Sequence, residues 1–110
     1  MTYQHAELAA GRWQTLTFVE QMANVGSEIE RMLNWRAKRN AAYAERAFER
    51  ALELLDLTLA ATRSRPRLKE VARVREAVVD YVIGANASAS TDASWRRYFL
   101  PFAYAARKAH

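Results

Sequence analysis

Apolar residues recur along this chain at alternating steps of three and four positions, in four segments separated by short polar stretches. This spacing places the apolar side chains of each segment on one face of an α-helix. The β-branched run from Val78 to Ile83 also suits a strand, but the chain offers no second strand to pair with it. The pattern therefore predicts helix in all four segments.

The four helices are expected over residues 16–37, 41–62, 66–83 and 91–107. Their apolar stripes are, in chain order, Phe18, Met22, Val25, Ile29 and Met32; Ala44, Phe48, Ala51, Leu55 and Leu59; Leu68, Val71, Val74, Val78 and Val82; and Trp95, Tyr98, Phe99, Phe102 and Ala106. Four amphipathic helices with short connections are typical of an all-α fold, an antiparallel up-and-down four-helix bundle. Its 110 residues suit one domain.

Local signals mark where the first two helices begin. Thr17 and Glu20 have the spacing of a capping box, and Asn40 is a suitable N-cap for the second helix. A single helix over residues 17–62 would run about 69 Å at 1.5 Å per residue, which is too long for a compact domain of this size. We therefore predict a turn at 37–41.

Proline and glycine mark the later boundaries. Pro66 suits the first turn of the third helix, and Gly84 suits its C-terminal end. Pro101 falls inside the fourth stripe, which predicts a kink or a break near residues 97–100. Gly26 and Ser27 are small, so a neighbouring helix can approach the first helix closely there.

The composition argues against several classes of chemistry. The chain has no Cys, its 3 Gly stand apart, and its histidines are His5 and His110, near the two ends. These counts leave no thiolate nucleophile, no Gly-rich phosphate loop and no Glu-x-x-His pair for a di-iron bundle. We therefore expect no enzyme activity, no metal and no cofactor. No basic leader with an apolar run and no 18-residue uncharged stretch occurs, so we expect a cytoplasmic protein without membrane contact.

Positive charge is concentrated in one segment, residues 63–75. It holds six basic residues and one acid, Glu70, so its net charge of +5 equals that of the whole chain, and the remainder holds 11 basic and 11 acidic residues. The six are Arg63, Arg65, Arg67, Lys69, Arg73 and Arg75. A local positive field predicts an anionic partner, nucleic acid with RNA favoured, or an acidic protein. The simpler alternative is a solvated helix face.

The bundle topology predicts where other charges lie. The 63–67 loop is expected at the same end as both termini, beside Arg12, Arg107 and Lys108. A second positive zone is expected toward the opposite end, from Arg36, Lys38, Arg39, Arg96 and Arg97.

The aromatic residues allow two interpretations. The fourth helix is so rich in them that we predict a homo-oligomer interface there, formed by Trp95, Tyr98, Phe99, Phe102 and Tyr104. Alternatively, Trp35 and the fourth-helix aromatics lie at the surface and stack bases of single-stranded nucleic acid beside arginines.

One constellation resembles a ribonuclease site. Helical ribonucleases of the HEPN superfamily carry an Arg followed four to six residues later by a His. Arg75, Asp80 and Tyr81 have a similar spacing, but Asp stands where the imidazole is needed for proton transfer. A degenerate ribonuclease is thus an alternative to a nucleic-acid-binding or purely protein-binding role.

Four stretches carry a wider resemblance: Gly11-Arg12-Trp13, residues 20–28, residues 47–58, and the aromatic positions of 95–103. Together they resemble a family of small prokaryotic helical proteins linked to diversity-generating retroelements. The accessory variability determinants of those elements are basic four-helix bundles that assemble as rings and bind reverse transcriptase and RNA. The resemblance implies an RNA- or polymerase-associated assembly, with reverse transcriptase as a possible partner, and assigns no role to any single residue.

Overall fold

The computed structural model describes residues 11–108, which form a short 3₁₀ turn and four α-helices. The turn spans Arg12–Thr15, and the helices are α1 (Phe18–Ala37), α2 (Ala41–Ala61), α3 (Arg65–Ile83) and α4 (Asp92–Lys108). No strand occurs within the described residues. The predicted all-α fold is confirmed, and each helix begins and ends within two residues of the expected position.

The predicted start signals of α1 and α2 are both used. The Thr17 hydroxyl accepts a hydrogen bond from the Glu20 N–H at 3.1 Å, and the Glu20 carboxylate accepts one from the Thr17 N–H at 2.8 Å. The Asn40 side chain accepts from the Tyr43 N–H at 3.1 Å. The expected turn lies at residues 38–40, where Arg39 has a left-handed backbone with φ of 58°.

Neighbouring helices run in opposite directions. As the residue number increases along one helix, the numbers of the residues that it contacts on its neighbour decrease. From the 3₁₀ turn through α1 against α2, the pairs are Trp13 with Thr58, Glu28 with Arg50, and Trp35 with Tyr43. For α1 against α4, they are Phe18 with Phe102, Gly26 with Phe99, and Glu30 with Arg96. For α3 against α4, they are Glu70 with Tyr98 and Tyr81 with Trp95.

This arrangement gives the bundle two ends. One end, called here the basic end, holds the start of α3 and the start of α1. The two starts are neighbours, since the Arg67 guanidinium lies 4.8 Å from the centre of the Phe18 ring. The other end, called here the turn end, holds the α1–α2 turn and the end of α3. There the Arg36 guanidinium lies 5.2 Å from the centre of the Tyr81 ring. The 20 residues of α1 separate the ends by about 30 Å.

Most of the core comes from the predicted stripes, to which Trp13, Leu33, Ala47 and Leu54 are added. Its buried apolar members are Trp13, Met22, Val25, Ile29, Met32, Leu33, Ala44, Ala47, Phe48, Ala51, Leu54, Leu55, Val71, Val74, Val78, Trp95 and Phe99. A Cβ added at Gly26 would lie 2.9 Å from the Phe99 Cβ, so α1 and α4 approach closely there, as predicted. Within residues 11–108, none of the helices is long and apolar enough to cross a membrane.

Of the predicted kink or break near residues 97–100, the break does not occur, because α4 continues through Pro101 to Lys108. Proline lacks an N–H, so the carbonyl of Arg97 loses its helical hydrogen bond. Both Arg97 and Pro101 lie on the exposed face of α4, where that carbonyl is open to water. Phe99 and Phe102, on either side of Pro101, pack against each other and against Tyr98, which holds both halves of the helix on the core.

Candidate nucleic-acid interface

The start of α3 separates an apolar face from a basic one. Ser64 precedes the helix with an extended backbone, and Pro66 lies in the first turn, where its missing N–H costs nothing. Val71 and Val74 are fully buried, and this fixes the rotation of the helix about its axis. The basic side chains therefore lie on the outer face.

Five of the six predicted basic residues are exposed: Arg63, Arg65, Arg67, Lys69 and Arg73. None of these five forms an ion pair with another residue of the 11–108 segment. The sixth, Arg75, is half-buried, and its guanidinium donates two hydrogen bonds to the Asp56 carboxylate, at 2.7 and 3.3 Å. We name the five exposed residues the α3 basic cluster and leave Arg75 out of it.

The one acid of this segment is directed away from the cluster. The Glu70 carboxylate accepts a hydrogen bond from the Tyr98 hydroxyl on α4. Burial, this hydrogen bond and the carboxylate charge together raise the pKa of Tyr98 well above its usual value, so the phenol stays protonated. Glu70 is thus hydrogen-bonded to a neutral donor and forms no ion pair with the cluster, while its negative charge offsets one of the nearby positive charges.

The position of the cluster opposes the usual charge preference of a helix. An α-helix carries a positive partial charge at its N-terminus, so acidic residues are favoured there and basic ones are disfavoured. The first turns of α1 and α4 follow this rule with Glu20 and Asp92. The first turn of α3 has no acid and carries Arg65 and Arg67 instead. The helix dipole and the arginines therefore add to one positive field.

A groove of about 340 Å³ adjoins the cluster at the basic end. It lies between the 3₁₀ turn with the start of α1 and the α2–α3 connection, and Arg63 and Arg67 line it. The termini of the described segment reach this end as well, since Trp13 contacts Thr58 near the end of α2 and Phe102 contacts Phe18. Arg12, Arg107 and Lys108 therefore lie toward the same end, as the bundle topology predicted.

The predicted oligomer interface on α4 needs correction. Trp95 and Phe99 are 6% and 5% exposed and belong to the core, while Tyr98 and Phe102 are half-buried against it. Tyr104 alone of the five is fully on the surface, at 58% exposed. The aromatic stripe of α4 is dense because it packs between α1 and α3. Sequence alone does not distinguish aromatic residues buried inside one chain from aromatic residues buried between two chains.

The residues of the ribonuclease-like constellation do not share a site. Arg75 pairs with Asp56, the Asp80 carboxylate accepts a hydrogen bond from the Ser88 N–H, and the Tyr81 hydroxyl donates to Asp92. The three side chains thus turn to three different partners. Nothing in this geometry favours the ribonuclease alternative.

One group of residues at the turn end was only partly anticipated. Trp35 was singled out from the sequence, but Tyr43 and Arg46, which lie close to it across the α1–α2 turn, were not. The available signal was the three-residue spacing of Tyr43 and Arg46 on a helix, which brings a cation over an aromatic ring.

No group of three or more His, Asp or Glu residues within residues 11–108 is arranged to hold a metal ion. Comparison with protein-family models, with curated proteins and with solved structures finds no match for this chain. The resemblance to retroelement accessory bundles therefore stays an expectation.

Proposed function

We propose that this protein is a non-enzymatic nucleic-acid-binding bundle, with RNA as its first expected ligand, and that the α3 basic cluster contacts the phosphates. The observation that carries this proposal is the set of five exposed cations without acidic partners at the start of one helix. Surface charge without acidic partners contributes little to stability, since even paired surface charges contribute little. Of the five, Arg67 also lies over the Phe18 ring.

Phosphate neutralisation is the mechanism that fits such a surface. Each Arg or Lys that reaches a phosphate releases condensed counterions, which favours binding at low salt and gives weak sequence preference. Arginine also presents a planar fork that matches two phosphate oxygens, and four of the five cluster residues are arginines. The resemblance noted above makes RNA the first nucleic acid to test and a reverse transcriptase the first protein partner.

The test is a salt titration of binding to a labelled RNA strand, measured by fluorescence anisotropy. With about four phosphates contacted on a single strand, log K should fall with log salt at a slope of about −3. Changing Arg63, Arg65 and Arg67 together to Ser should flatten that slope by about two units or more. The melting temperature should fall by no more than several degrees, because exposed charges contribute little to stability and the Arg67 contact with the Phe18 ring contributes about 0.5–1 kcal/mol.

Arg75→Gln is the matched control. It removes one positive charge from the same helix, but from a residue already paired with Asp56. We expect an unchanged salt slope in this variant. Binding that survives the triple change, or that ignores salt, contradicts the proposal. Binding to an acidic protein but to no nucleic acid assigns the cluster to the protein-docking alternative instead.

A further inference from the structure

The turn end carries a compact group of aromatic rings and cations, 20 residues along α1 from the basic end. The centres of the Trp35 and Tyr43 rings lie 4.8 Å apart and the ring planes meet at 79°, so the two rings form a corner. The Lys38 ammonium lies 5.2 Å from the centre of the Trp35 ring, and the Arg46 guanidinium lies 5.0 Å from the centre of the Tyr43 ring. We name these four residues the turn-end aromatic cluster.

Both rings of this cluster keep part of their surface in solvent, although large aromatic side chains are usually buried. Tyr43 is 43% exposed and Trp35 is half-buried, whereas the other two tryptophans, Trp13 and Trp95, belong to the core. The corner encloses a recess of about 200 Å³, whose wall includes Arg50, fixed by its 3.1 Å bond to Glu28. Ligand pockets for drug-sized molecules begin at about 300 Å³, so this recess suits one small planar group.

The surrounding charge selects an anionic ligand. Residues 36–46 hold four basic residues, Arg36, Lys38, Arg39 and Arg46, against one acid, Glu45. All four basic side chains are exposed. A ligand that combines a flat ring with neighbouring negative charge meets both features, and a nucleotide in a single strand has that composition. Duplex bases are already stacked and present no free face to a protein ring.

We infer that the turn-end aromatic cluster is a stacking site for an unpaired base of single-stranded nucleic acid. The base takes the place of the Arg46 guanidinium on the Tyr43 ring, with its edge toward Trp35. The released guanidinium, together with Lys38, then reaches the adjoining phosphates. An exposed cation–π contact contributes about 0.5–1 kcal/mol, whereas stacking of a base on an aromatic side chain contributes about 1–3 kcal/mol, so the exchange is favourable.

This inference does not rest on the α3 basic cluster, because the two surfaces lie at opposite ends of the bundle. Stacking depends on the face of the ring and not on counterion release. Loss of a ring at the turn end should therefore weaken binding at every salt concentration without changing the salt slope. Loss of the arginines at the basic end changes the slope.

The test compares Tyr43→Leu with Tyr43→Phe on fluorescein-labelled oligo(U), oligo(dT) and a duplex of equal length. Tyr43→Leu should weaken single-strand binding about 5- to 150-fold, and Tyr43→Phe, which keeps the ring, should lie within about twofold of wild type. Duplex affinity should stay unchanged in both variants. The oligo(U) and oligo(dT) measurements identify whether the site takes RNA, DNA or both.

A second readout uses the tryptophan emission. Trp35 is the half-buried indole, so stacking of a base should quench its fluorescence, and Trp35→Phe should remove that change while keeping a ring in place. Circular dichroism checks that each variant folds. Equal single-strand binding by Tyr43→Leu and wild type overturns the inference. So does an equal loss on the duplex, or binding of an acidic protein in place of either single strand.

Discussion

At the residue scale, the most informative contrast is between two buried tryptophans. Trp13 donates its indole N–H to the Thr58 hydroxyl at 3.0 Å, and Thr58 in turn donates to the Leu54 carbonyl. Trp95 is equally deep, yet its indole N–H finds no acceptor among residues 11–108. The capping pair Thr17 and Glu20 was readable from sequence because its partners are three positions apart. The Trp13–Thr58 bond joins residues 45 positions apart, and no local pattern indicates it.

We expect Thr58→Val to destabilise the protein by about 1–3 kcal/mol, because the change keeps the shape but leaves the buried Trp13 N–H without an acceptor. The melting temperature should fall by at least about 4 °C. Thr62→Val is the control, since among residues 11–108 the Thr62 hydroxyl bonds only to the carbonyl of Thr58 at the end of its own helix. Thermal melts followed by circular dichroism measure both variants. Equal melting temperatures for the two would show that the bond to Trp13 contributes nothing.

At the element scale, α3 combines a conventional apolar face with an N-terminal charge pattern that opposes its own dipole. The stripe of valines and the proline were enough to predict where this helix lies and which face it buries. Its basic outer face was predicted as a set of six, but sequence could not show that Arg75 pairs with Asp56, because that contact depends on how α2 and α3 pack. Local rules of stability are commonly broken at functional sites.

Arg65→Glu should therefore raise stability while it weakens nucleic-acid binding. An acid in the first turn interacts favourably with the helix dipole, so we expect a rise in melting temperature of about 1–6 °C. Lys69→Glu makes the same charge change beyond the first turn, where the dipole effect has faded, so its melting temperature should stay close to that of wild type. Both variants should lose RNA affinity. A lower melting temperature for Arg65→Glu would contradict the charge argument.

At the scale of the whole molecule, alternation of helix direction brings the chain's scattered charges to two ends. The grouping of charges at two ends could be predicted from the four apolar stripes and the short connections between them. For this reason Arg12 and Lys108 could be expected near residues 63–67. What did not follow is how α4 sits between α1 and α3. The close approach at Gly26 draws Phe99 into the core, and the five aromatic residues expected at an interface are divided between interior and surface.

The apolar residues of α4 that stay exposed outside the core still lead us to expect self-association. Leu100 and Tyr104 are 61% and 58% exposed and lie four residues apart, so they share one face of the helix. Beside Leu100 runs a groove of about 460 Å³ between α1 and α4, whose wall includes the small residues Ala23, Ser27 and Ala103 and the charged residues Glu30, Arg31 and Arg96. A second copy can lay the Leu100–Tyr104 ridge into this groove and remove both large side chains from water.

Light scattering on nuclease-treated protein at micromolar concentration should give a mass above the 12.6 kDa of one chain. Leu100→Glu with Tyr104→Glu should return the mass to the monomer, because burying two carboxylates in an apolar contact is strongly unfavourable. Ile83→Glu is the matched control: Ile83 is 72% exposed but lies at the end of α3, away from the groove, so the assembly should persist. A wild-type protein that scatters as a monomer rules out this contact, and loss of assembly in Ile83→Glu alone moves the interface to the turn end.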